Sequence, residues 1–143
     1  MSVFYDVEKG VLVAQTGTKS ANTTHDPSTL LNAPTEVVFN LVVGTLSCTT
    51  AQEVDFYFQT THDDGATWRD LGNIHFAAEA ATASKSFSHV RPQVGQTNIA
   101  ASDGAIADNT VASTVPVGDQ VRLKLLLTGT AAADYNATFY GRR

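Results

Sequence analysis

Apolar positions recur at every second residue over much of this chain, in short runs broken by Gly, Asn, Asp, Thr and Pro. That is the spacing of β-strands rather than of helices. The one stretch with helical character is 28–32, a single turn with Asp26 or Ser28 as its cap and Pro34 as its end. Residues 37–43 place Val37, Phe39, Leu41 and Val43 on one face. Val38 and Val42, on either side of Asn40, make the second face apolar as well, which predicts a strand covered on both sides. Residues 54–60 alternate Val54, Phe56 and Phe58 with Asp55, Tyr57 and Gln59, a half-buried strand. A strand at 68–76 follows after a turn, and another is predicted at 83–90 with Phe87 inward. Residues 121–128 set Val121, Leu123, Leu125 and Leu127 inward and Arg122, Lys124 and Thr128 outward. Residues 135–141 close the chain with Tyr135, Ala137 and Phe139 on one face.

The segments between these strands complete the expected architecture. Residues 3–7 and 11–15 flank Lys9-Gly10, which reads as a hairpin or a bend, and 1–15 as a whole is an N-terminal arm or an edge strand. Two polar stretches, 16–36 and 92–119, are too long for hairpin loops. They are either contact arms of an assembly protein or Greek-key crossovers over the end of a sandwich. The pattern amounts to about seven to nine strands in one domain spanning 1–143. The expected fold class is all-β: an antiparallel β-sandwich or jelly-roll-like domain with long loops.

Composition narrows the possible partners. The chain has 143 residues, enough for one core. Its formal charge of -5, with no basic cluster beyond Arg142-Arg143, argues against a nucleic-acid partner. No apolar run approaches the roughly 18 residues of a membrane span. The opening Met1-Ser2-Val3-Phe4-Tyr5-Asp6 lacks the pattern of a signal peptide, so synthesis in a cytoplasm and no membrane partner are expected. The single cysteine, Cys48, lies beside an apolar run and is expected as a small buried residue, leaving the fold without a disulfide.

The sharpest local motif is Thr61-x-Asp63-x-Gly65-x-Thr67-Trp68. Its physics suits a hairpin turn. Asp63 can accept backbone N–H groups, Gly65 can take a positive φ, Thr61 and Thr67 can pair across the strand ends, and Trp68 can fold its indole over the turn. The motif resembles the Asp-box, Ser/Thr-x-Asp-x-Gly-x-Thr-Trp. That resemblance implies a structural turn away from any catalytic centre, and a single copy does not make a propeller enzyme.

A second resemblance is carried by Asp55-Phe56-Tyr57-Phe58-Gln59-Thr60 with the turn that follows. It is also carried by Asp103-Gly104-Ala105-Ile106-Ala107-Asp108-Asn109-Thr110 running through Val117-Gly118-Asp119 into Val121-Arg122-Leu123-Lys124. Over roughly 54–76 and 103–128 the chain is similar to virion structural proteins of tailed bacteriophages. The resemblance implies a capsid decoration (cement) protein on the outer capsid surface, made in the host cytoplasm. It also implies a small symmetric homo-oligomer, a trimer first, bound to the major capsid protein or to other virion proteins. The expected contact elements are 1–15, 16–36 and 92–119. A carbohydrate-binding module or a tail- or head-fibre adhesin, with Tyr5, Tyr57 and Tyr140 as stacking platforms, is the alternative.

No catalytic, cofactor-binding or metal-binding residues are assigned from the sequence, and the chain is not expected to be an enzyme. The carboxylates Glu53, Asp55, Asp63 and Asp64 are close in sequence, but Asp55 is expected on a solvated face and Asp63 in the turn, so they do not form the facing pair of a glycosidase. His25, His62, His75 and His89 lack the spacing of a compact metal site; His75 and His89, on neighbouring predicted strands, read as solvated or structural. Calcium at Asp103, Asp108 or Asp119 is the remaining cation option.

Overall fold

A computed structural model describes residues 7–14, 17–31, 34–77, 83–90 and 102–142, with 83–90 described in their backbone only. Nine strands run in the order β1 (Val7–Val13), β2 (Thr23–Thr24), β3 (Ser28–Thr29), β4 (Glu36–Ser47), β5 (Glu53–Thr61), β6 (Trp68–Ala77), β7 (Ala83–Val90), β8 (Gln120–Leu127) and β9 (Ala132–Arg142). Among the described residues there is no helix, and so none long and apolar enough to cross a membrane.

The strands form two antiparallel sheets, β1-β9-β4-β7 and β2-β8-β5-β6, with β3 also pairing β8. If β2 and β3 are taken as one interrupted strand, this is the order of a jelly roll, two interlocked Greek keys. The chain changes sheet after β1, returns at β4, leaves at β5, returns at β7, leaves at β8 and ends in β9 beside β1.

The alternation read from the sequence explains why two sheets close on each other. Val37, Phe39, Leu41 and Val43 of β4 face Val54, Phe56 and Phe58 of β5, Val121, Leu123 and Leu125 of β8, and Tyr135, Ala137 and Phe139 of β9 in one core. Phe39 meets Phe58 with ring centroids 5.1 Å apart, and Phe56 meets Tyr135 edge-on at 5.0 Å. Burying each such side chain is worth about 1.5–3 kcal/mol. Cys48 is part of this core, with its thiol donating to the Gln52 carbonyl.

Several expectations are corrected. Lys9-Gly10 is neither a hairpin nor a bend, because β1 runs straight through it as the edge strand beside β9. The glycine is required by packing: a Cβ there would lie 2.2 Å from the Phe139 ring. The turn expected at 28–32 is strand β3, with Ser28 and Thr29 opposite Val121 and Gln120, while 32–33 lie outside the described residues. β4 is covered on one side only, since Val42 is 48 % exposed. β5, expected half-buried, is buried on both faces from Val54 to Thr61. The polar segment 17–31 lies along β8 through β2 and β3, so it crosses from one sheet to the other. In β7, Phe87 stands opposite Phe39 in register. Residues 1–6 and 91–101, with their share of the predicted arm and loop, lie outside the described residues.

Candidate functional site

The outward face of the β2-β8-β5-β6 sheet carries most of the buried polar side chains among the described residues. Three cross-strand rows define it: Asp55 opposite His75, Tyr57 between Asn73 and Lys124, and Gln59 between Asp70 and Arg122. A β-bulge between Phe58 and Gln59 creates this arrangement on β6. Ile74 and Phe76 point into the core, and strict alternation would send Asp70 and Trp68 in with them. The extra residue, Leu71, takes the core position, and the bulge turns Asp70 and Trp68 outward.

Residues 102–119 lie across this face as a strap, and Asp70 is their anchor. Its carboxylate accepts the Ser102 hydroxyl at 3.0 Å, the backbone N–H groups of Gly104, Ala105 and Ile106 at 2.9, 3.0 and 3.1 Å, and the Gln59 amide at 2.8 Å. A carboxylate buried without a salt bridge is tolerable here because five donors surround it. The strap also protects the open edge of β6. The N–H groups of Asp70, Asn73 and His75 donate to Ser102 O, Thr110 O and Asn109 Oδ1, and Ala112 N donates to Leu71 O. The far end is pinned where Gly118 N donates to Thr60 Oγ1 and His62 Nε2 to Pro116 O.

Asp103 gathers the two cations of β8. It accepts Lys124 Nζ at 2.9 Å and Gln59 Nε2 at 2.7 Å, and lies 3.7 Å from the Arg122 guanidinium. Partial burial pushes the Asp103 carboxyl up, but the Lys124 and Gln59 hydrogen bonds and the charges of Lys124 and Arg122 together hold it below its ordinary value. Arg122 also donates to Gln59 Oε1 and lies 4.0 Å over the Trp68 ring. Trp68 is buried, but on this outer face and outside the core between the sheets.

The turn at 61–68 is closed by its own side chains. Asp63 Oδ1 accepts Thr67 N at 2.7 Å and Thr61 Oγ1 at 2.9 Å; Gly65 N donates to Thr61 Oγ1, and Trp68 Nε1 donates to Gly65 O. Gly65 has φ +89°. The Thr67 backbone hydrogen bond, followed by the threonine side chains, lowers the Asp63 pKa.

At the other end of the face, Asp55, His75 and Asp108 come together. Asp55 is buried under the strap, not solvated as expected; its carboxylate accepts His75 Nδ1 at 2.7 Å and Asn73 Nδ2 at 3.0 Å. Asp108, on the strap, places Oδ2 3.5 Å from His75 Nε2. One ligand atom from each of the three lies within 4.8 Å of the others. Burial, followed by the charges of Asp55, Asp70, Asp108 and Glu53, pushes the Tyr57 hydroxyl up to about 12. Sequence spacing missed this group because Asp55, His75 and Asp108 sit on β5, β6 and the strap. His75 and His89, on strands consecutive along the chain, belong to different sheets. Of the calcium candidates, Asp103 is occupied by Lys124, and Asp119 is exposed, apart from the others.

The outward face of the β1-β9-β4-β7 sheet differs. Val11, Val42 and Tyr140 are 57 %, 48 % and 37 % exposed on it, and Leu31 stands exposed beside β1, its N–H donating to Glu8. Lys9 Nζ lies 5.0 Å over the Tyr140 ring. Tyr57, a proposed stacking platform, is buried, and Tyr5 lies outside the described residues. No protein family, curated protein or solved structure matches this chain.

Proposed function

We propose that the chain is a structural protein of a tailed-phage virion, a capsid decoration protein that attaches by protein–protein contacts. The observation that carries this reading is the division of labour between the two outward faces. The chemistry-bearing side chains of one face are engaged in holding the strap. The other face presents Val11, Val42 and Tyr140, with Leu31 beside them, exposed on the β1-β9-β4-β7 sheet. Exposed apolar side chains grouped on a sheet face suit a contact with another protein. The two segments that carry the phage resemblance, 54–76 and 103–128, fold into one unit, β5, β6, β8 and the strap. In this reading that unit is the rigid half and the β1-β9-β4-β7 sheet is the contact half. Several copies joined as a small oligomer would add their contacts on one capsid.

The test is to mix the purified chain with expanded phage heads stripped of accessory proteins. The expected result is binding at a fixed ratio to the major capsid protein and a raised melting temperature of the heads. Binding to a glycan array with no binding to heads would turn the reading to an adhesin. Binding to neither would discard both.

A further inference from the structure

We infer that Asp55, His75 and Asp108 form a binding site for a divalent first-row transition ion, zinc being the natural probe, that clips the strap to the sheet. The Asp55 carboxylate lies 2.7 Å from His75 Nδ1 and accepts from Asn73 as well, so Nδ1 is engaged by Asp55 and Nε2 is the ring nitrogen turned toward the strap. Across from Nε2 stands Asp108 Oδ2, at 3.5 Å. One ligand atom from each of Asp55, His75 and Asp108 lies within 4.8 Å of the others, close enough to gather around a single ion. The 3.5 Å between His75 Nε2 and Asp108 Oδ2 is close to the edge of a tetrahedron with metal–ligand bonds of about 2.0–2.1 Å.

The surroundings fit an ion. A carboxylate on the far nitrogen of a ligating histidine fixes its tautomer and raises its basicity, which is the position of Asp55. The His75 backbone N–H is held by Asn109, next to Asp108, so strap and ring are in register before any ion arrives. One imidazole among carboxylates favours a transition ion over calcium, which takes six to eight oxygens. His75 and Asp108 are the ligands, Asp55 the orienting group, and water fills the open positions.

The full-length chain, stripped with a chelator, is titrated with zinc and, in parallel, with calcium, and followed by calorimetry and thermal melting. One saturable zinc site per chain is expected, with a melting temperature that rises with zinc, falls back on chelation and ignores calcium. Asp108→Asn and Asp55→Asn should each weaken zinc binding about tenfold or more. His62→Gln and Cys48→Ser, which remove other donors, should leave it unchanged. The Asp108 side chain is 58 % exposed, so Asp108→Asn decides the matter if a variant at Asp55 or His75 does not fold. Absence of saturable binding, an equal response to calcium, or binding that Asp108→Asn leaves intact would each overturn the assignment.

Discussion

The outward face of the β2-β8-β5-β6 sheet is lined by Asp55, Gln59, Asp70, Asn73 and Arg122, and that of the β1-β9-β4-β7 sheet by Lys9, Val11, Val42 and Tyr140. Both faces belong to strands of the same alternating type packed on the same core. They diverge because of what their outward side chains ask for. A row of carboxylates and amides can be covered only by a segment that supplies donors, and the backbone N–H groups at 104–106 do this for Asp70. Valine, threonine and an aromatic ring make no such demand within the chain, and their free surface is available to another molecule. The covered face therefore bears on stability, and the open one is the surface that the proposed attachment uses.

That contrast makes ordered predictions. The largest effect is expected for Asp70→Ala, which strands several part-buried donors and should cost about 3 kcal/mol in urea unfolding. Loss of amide-exchange protection over 102–112 and a red shift of the single tryptophan, Trp68, should accompany it. If the strap stays protected, the anchoring role of Asp70 is wrong. Gly10→Ala comes next. It forces a Cβ against the Phe139 ring and should cost about 2 kcal/mol, showing that the constraint on the open sheet lies beneath it rather than on it.

A smaller effect is expected from acid. Asp63 and Asp103 both titrate below the ordinary value of 3.8 in the folded chain. Each therefore stabilises the fold above that pH, and the contribution is lost as the pH falls through the depressed folded values. Both groups are well exposed, so solvent screening keeps the contribution small. Asp63→Asn and Asp103→Asn should flatten the acid limb of a stability–pH curve; an unchanged limb would remove these carboxylates from the account. The smallest effect on folding belongs to Val42→Ser, within about 0.5 kcal/mol. The same variant should weaken attachment to phage heads, and undiminished binding would move the contact surface elsewhere.

The core was legible from alternation because the two-residue period is a property of the strand itself. Val37, Phe39, Leu41 and Val43, or Tyr135, Ala137 and Phe139, point inward wherever the strand is placed. The turn at 61–68 was legible for a similar reason, since its hydrogen bonds stay within eight residues. The candidate site was not legible. One extra residue at Leu71 reverses the facing of Asp70 and Trp68, and nothing in the local pattern announces it.

Sequence by itself determined an all-β chain, the inward residues of its long strands and a short self-closed turn, because each depends on near neighbours. Only the tertiary structure decided that Gly10 continues a strand beneath Phe139, that 102–119 lies over Asp70, and that His75 stands between Asp55 and Asp108. Those outcomes join residues from different strands and from the strap. They depend on which edges and faces remain to be satisfied once the two sheets have closed.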